Sequence, residues 1–167
     1  NGERYEYAVA SVNAAGRESD LSFELVVDAP LPMSLAPVEI FDAADPVLAD
    51  MGGFDFSALE AGRMDPNQPG TTADIRVVFA NGVPYVENAR PGVLLLDAGV
   101  YTWNDGSLDF DGVTAAPWDG WSVTGRLELL VGRIYVAEII EPRTDPGVDP
   151  PFHYAKFLVV SVGDRSW

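Results

Sequence analysis

Residues 73–88 read Ala73-Asp74-Ile75-Arg76-Val77-Val78-Phe79-Ala80-Asn81-Gly82-Val83-Pro84-Tyr85-Val86-Glu87-Asn88. Ile75, Val77 and Phe79 recur at period two and share one face of a strand. Asn81-Gly82 tolerates positive φ at both positions, the signature of a type I′ hairpin turn. Val83–Asn88 is the returning strand. An antiparallel hairpin is therefore written into the middle of the chain, and its flanks extend the pattern.

Toward the C-terminus, Gly92–Leu96 is a continuous apolar run of strand length, which predicts a central strand. Val100–Trp103 predicts a further short strand. Arg126–Leu130 and Arg133–Ile140 alternate and meet near Gly132. Tyr154–Val162 predicts the last strand. Tyr154, Lys156, Leu158 and Val160 lie on one face, opposite Ala155, Phe157, Val159 and Ser161.

Toward the N-terminus, Phe54-Asp55-Phe56 alternates and Val38–Phe41 predicts a short strand. Residues 43–52 predict a single helical turn around Pro46–Met51, because Asp45 can cap it and Pro46 suits the first helical position. Residues 104–122 carry Asn104-Asp105-Gly106, Asp111-Gly112 and Asp119-Gly120 turns, and 142–152 holds four prolines. No segment has long helical periodicity. The expected fold is all-β: a mainly antiparallel sandwich or barrel-like domain over 38–167, with long irregular loops.

Ahead of it lies a Pro-rich linker, 29–37, and a hairpin over 1–28. Tyr5, Tyr7, Val9 and Ser11 share a face, Asn13-Ala14-Ala15-Gly16 turns, and Leu21, Phe23, Leu25 and Val27 alternate on the return. The run Tyr5-x-Tyr7-x-Val9-x-Ser11-Val12-Asn13-x-x-Gly16, then Glu18-Ser19, resembles the last two strands of a fibronectin type III module. The chain opens on Asn1 with no visible signal peptide or lipidation motif. The expectation is a processed chain or a piece of a longer one.

Ile134-Tyr135-Val136, a variable loop and Tyr154-Ala155-Lys156-Phe157-x-Val159-x-Ser161-Val162 resemble the closing hairpin of a family of all-β extracytoplasmic lipoproteins. Secreted haem-binding haemophores are its best-known members. Phe54-Asp55-Phe56-Ser57 and Ala73-Asp74-Ile75 are weaker echoes. The resemblance implies a β-rich fold outside the cytoplasm. It does not carry over haem binding, because the paired mid-domain ligands, commonly histidines, have no histidine counterpart here.

Composition narrows the function. The chain has 167 residues, 26 acidic and 10 basic, for a net charge of −16. A nucleic-acid binder or an anionic-membrane binder needs a basic face, and this chain has one lysine and nine arginines. With no cysteine and one histidine, His153, thiolate catalysis, disulfides, iron–sulfur clusters, zinc–thiolate sites and bis-histidine haem are excluded within one chain. No GxSxG, GxxxxGK[ST] or strand-linked GxGxxG is present. Neither is an apolar run long enough to span a membrane.

Asp105, Asp109 and Asp111 are candidate calcium ligands, since hard cations want several oxygens. The pattern lacks the closing glutamate of an EF-hand, with Trp118 in its place, and Asp-Gly is first a turn dipeptide. Glu138 with Glu141, or Asp145 with Asp149, are nominal carboxylate pairs, but chance pairs are expected among so many acids. Trp103, Trp118, Trp121, Tyr154 and Trp167 are the candidate interaction residues, because aromatics in polar surroundings mark recognition surfaces.

No cofactor is expected. The expected function is a non-catalytic extracytoplasmic subunit, periplasmic or at the cell surface, that holds other proteins through an acidic face and aromatic loops. A membrane-extrinsic place in a large assembly fits this, photosynthetic reaction-centre and antenna complexes or surface-layer arrays being such settings. The alternatives are a carbohydrate-binding module of a secreted protein and a haemophore-like ligand-binding lipoprotein.

Overall fold

Asn81 and Gly82 both take positive φ, 53° and 79°. The turn joins β5 (Ile75–Ala80) to β6 (Val83–Asn88), paired antiparallel from Ala80↔Val83 to Ile75↔Asn88. The structure, a computed structural model, describes residues 5–7, 26–28, 37–56, 63–113, 116–117, 119–140 and 152–163. The chain divides into two compact units, Asn1–Ala36 and Pro37–Trp167.

In the first unit, β1 (Tyr5–Tyr7) pairs antiparallel with β2 (Val26–Asp28). The intervening turn, the other residues of the fibronectin-like pattern and linker residues 29–36 lie outside the described residues.

The second unit is all-β, in two antiparallel sheets. The five-stranded sheet has the order β4-β3-β5-β6-β8, with β3 (Gly53–Phe54), β4 (Arg63–Met64) and β8 (Arg126–Glu128). The three-stranded sheet has the order β10-β9-β7, from β7 (Val93–Gly99), β9 (Ile134–Ile140) and β10 (Phe152–Leu158). Among the described residues there is no α-helix, only 3-10 turns at Ala49–Met51 and Phe110–Gly112.

The two sheets share a core. Ile75 and Val86 from the first, and Val93, Leu95, Ala137 and Ile139 from the second, form one apolar cluster, each at most 2% exposed. Phe56 and Phe157 close its side, their rings stacked at 5.8 Å.

Two polar devices join the sheets. Tyr135 is fully buried at the start of β9. Its hydroxyl donates to the Glu128 carbonyl at 2.6 Å and accepts the Leu130 amide at 2.9 Å. This pins the passage from β8 to β9 in the manner of a tyrosine corner. Asp74, buried ahead of β5, accepts the Phe56 amide at 2.8 Å on one oxygen and Arg90 Nε and Nη2 at 2.9 and 2.8 Å on the other. Arg90 also donates to the Ile140 carbonyl at 3.3 Å, at the end of β9.

A second, smaller cluster lies on the other face of β9. Ile134 and Val136 point away from Ala137 and Ile139, and meet Val113, Phe110, Ala116 and Trp121. Phe110, Val113, Ala116 and Trp121 thus cover part of the outer face of the three-stranded sheet.

Several sequence expectations need correction. Residues 37–42 form no strand; Phe41 instead donates its amide to Met51. The Val100–Trp103 strand is absent. The ladder ends at Gly99 after an irregularity at Asp97, leaving only an isolated Thr102↔Leu108 bridge. The apolar run at 92–96 lies on β7, an edge of its ladder, whereas β9 is central. Val93 and Leu95 face the main core; on the outer face Leu96 is buried next to Gly120, while Leu94 is exposed. Of the helical turn expected around Pro46–Met51, a 3-10 turn forms at Ala49–Met51 with Leu48 at its N-cap; Asp45 Oδ1 accepts the Val47 and Leu48 amides ahead of it, at 2.8 and 3.0 Å.

Candidate functional site: an exposed aromatic hairpin

Beyond β7 the chain makes a small hairpin over residues 101–109. Asp109 donates its amide to the Tyr101 carbonyl at 2.8 Å, and Trp103 donates to Ser107 at 2.8 Å. Gly106 donates back to the Trp103 carbonyl at 2.9 Å and has φ of 83°. A turn followed by a positive-φ glycine is a common way to close so short a hairpin, and only glycine takes that conformation without steric cost. Asp105 Oδ1 accepts both the amide and the hydroxyl of Ser107, at 2.9 and 2.6 Å. These donors hold its carboxyl below the usual carboxylate range.

The base of the hairpin is clamped by Lys156, the chain's one lysine. Its ammonium donates to the Phe110 and Val113 carbonyls at 2.8 and 3.0 Å. It also lies 4.5 Å from the Phe110 ring centroid. On the strand side, Arg133 Nε bridges Asp97 at 2.8 Å and fixes the ends of β7 and β9. The hairpin is therefore exposed yet well fastened.

Every residue from Val100 to Leu108 is exposed. Trp103 is 57% exposed, and Tyr101 and Leu108 are exposed beside it. The β8–β9 turn adds exposed Leu130 and Val131. The two elements are neighbours, because a methyl placed on Gly132 would lie 3.6 Å from the Leu108 side chain. Gly132 in turn donates to the Val159 carbonyl, which brings exposed Val160 to the same end. Leu108, Leu130 and Val131, with Val160 next to the Val159 contact, thus form an apolar rim, while Tyr101 and Trp103 stand on the other face of the hairpin, because the Thr102↔Leu108 pairing puts Leu108 on the face of Thr102.

The candidate aromatics separate. Trp103 is exposed on the hairpin, on the face opposite Leu108. Trp121 is half-buried on the second cluster and stacks on Tyr154, ring centroids 6.3 Å apart and planes at 24°. Tyr154 donates its hydroxyl to Glu138 Oε2 at 2.8 Å, and that bond to a carboxylate pushes its phenol up. Trp118 and Trp167 lie outside the described residues, as do Glu141, Asp145 and Asp149. His153 is exposed on β10, opposite Ile139.

The calcium candidates do not converge. Asp105 is engaged with its own turn, and Asp111 lies 3.7 Å from the Lys156 ammonium. Among the described residues, no group of three or more histidines or carboxylates could hold a metal ion. The loop is organised around an ammonium that the chain itself supplies.

Tyr101, Leu108, Leu130, Val131 and Val160 were not among the sequence candidates. Leu130-Val131 was legible in principle, since two apolar residues precede a turn glycine where polar ones are usual. Their convergence with 101–108 depends on the β7–β9–β10 ladder and has no local signature. Comparisons with family models, curated proteins and solved structures return no match for this chain.

Proposed function

We propose that the chain is a non-catalytic, extracytoplasmic interaction domain that docks on other proteins through the 101–109 hairpin and its apolar rim. The observation that carries the reading is Trp103: an exposed indole on a turn fastened by backbone bonds and by Lys156. A contact surface that is already ordered loses little entropy on binding, and aromatic anchors dominate interface energetics. The assembly in this reading is large and membrane-associated, with this domain on its outer face. Among the described residues no helix is long and apolar enough to cross a membrane. The finer reading of the fold as a sandwich draws support from the shared core and the tyrosine corner.

The carbohydrate-binding alternative rests on stacking faces. Trp121 and Tyr154 turn theirs toward each other, and Trp121 is also spent on the second cluster. Trp103 alone offers a free indole among the described residues.

The test is a mild-detergent pull-down from the native source, comparing the full chain with a Trp103→Ala/Val131→Ser variant. The expected result is a stoichiometric set of membrane proteins with the parent, lost with the variant at an unchanged urea midpoint. Recovery of the parent alone, or full retention by the variant, overturns the proposal.

A further inference from the structure

We infer that the occupant of the 101–109 hairpin is a cationic protein segment whose arginine stacks on Trp103, an inference that rests on the interaction reading above. From Pro91 to Gly125 the chain has five aspartates and no lysine or arginine. Two cations from outside the stretch are already engaged, Arg133 with Asp97 and Lys156 with the Phe110 and Val113 carbonyls and with Asp111. The hairpin thus has an acidic border and no cation of its own: Asp105 stands on the tip, held by Ser107, and Asp111, its side chain 82% exposed, lies 3.7 Å from the Lys156 ammonium. The Ser107 donors hold the Asp105 carboxyl below the usual carboxylate range.

Such a border selects by charge. A second copy of this chain brings −16 and the same acidic loop, so self-association through this face is repelled. A basic segment is attracted. Arginine suits the site better than lysine. Its planar guanidinium stacks on an indole and presents a fork of donors to a nearby carboxylate. Trp103 and Asp105 stand two residues apart on one turn. The molecule already uses this chemistry internally, with Arg126 3.9 Å from the Tyr85 ring centroid and paired to Glu87 at 3.4 Å. Trp103 has the same kind of ring, exposed, with no described cation over it.

The test uses the full chain labelled with 15N and two probes of equal length, an arginine–glycine repeat peptide and its citrulline–glycine counterpart. Citrulline keeps the shape and removes the charge. The expected result is that the arginine peptide alone shifts the Trp103 indole N–H and the amides of 101–111, and that added salt weakens it. Trp103→Ala should cut affinity roughly tenfold. Asp105→Asn keeps an oxygen for the Ser107 donors while removing the charge, and should also weaken binding. Unchanged shifts outside the loop show that each variant is folded. Equal binding of the citrulline peptide overturns the cationic inference and leaves the interaction reading standing. Arginine-peptide binding indifferent to Trp103→Ala reduces it to diffuse attraction and overturns it as well. If neither peptide shifts the loop, the inference fails, and the pull-down judges the interaction reading separately.

Discussion

Tyr135 and Asp74 are both fully buried, and each has a polar group with stringent needs. The Tyr135 hydroxyl satisfies one carbonyl and one amide at the crossing between the sheets. Tyr135→Phe keeps the ring, stacked on Phe157 at 5.4 Å, and strips both bonds. The expected cost is about 1–3 kcal/mol, the range for a buried group left unsatisfied. It should appear as a lower urea midpoint with an unchanged slope, since the exposed area on unfolding is the same. Asp74 governs pH dependence. Burial pushes its carboxyl above the ordinary 3.8, against the lowering effect of the Phe56 amide and Arg90. The native state then holds that proton more tightly than the unfolded state. The contribution to stability is fullest below 3.8 and declines as pH rises from there through the raised value. Asp74→Asn removes this titration. Urea midpoints at a series of pH values should show the parent losing ground to the variant across that window and running parallel above it. Asp105 acts in the opposite sense: its contribution is lost as pH falls below 3.8 through its lowered value.

At the scale of elements, one side chain connects the covering segment to the sheet. Lys156 lies on the outer face of β10, opposite Val136, and holds the carbonyls on either side of the Phe110–Gly112 turn. Lys156→Met keeps the stem and removes the charge. The expected cost is about 1–3 kcal/mol, from hydrogen bonds to a charged donor. Hydrogen exchange should localise it, with the Trp103, Asp109 and Gly112 amides exchanging faster and those of β9 unchanged. The sequence already shows Lys156 beside Tyr154 and Leu158 on one face of the last strand, and that face is the one the segment covers. It also shows the Asn81-Gly82 hairpin and the turn near Gly132, since these depend on backbone conformations that few residues tolerate. It does not show that 104–122 folds over a sheet. The Asp-Gly turns in that stretch mark where the chain bends, and only the ladder determines what it meets. The misplacement of 92–96 has the same origin. An apolar run reports what meets the side chains above and below a strand, and says nothing of how many strands pair with its edges. Val38–Phe41 fails for another reason. Three or four apolar residues suffice for a strand pattern, but this segment exchanges a bond with the 3-10 turn instead of joining a ladder.

At the scale of the molecule, stability should reside in the second unit. Both apolar clusters draw all their described members from Pro37–Trp167, as do the Asp74–Arg90 pair and the Tyr135 corner. A chain of that length can bury a sufficient core by itself. In the first unit the described structure is one antiparallel pair of three-residue strands, and an isolated two-stranded hairpin is marginal in water. Residues 37–167 produced alone should therefore unfold cooperatively, with the urea midpoint of the full chain within error and the same near-ultraviolet circular dichroism from the buried Tyr135 and its neighbours. The decisive comparison is the midpoint. If removing 1–36 lowers it by more than the ~0.5 kcal/mol usual for changes away from a core, the N-terminal strands contribute to the folding of the second unit. If the midpoint holds, the aromatic hairpin and its rim belong to an independent domain, and the interaction experiments can be repeated on residues 37–167 alone.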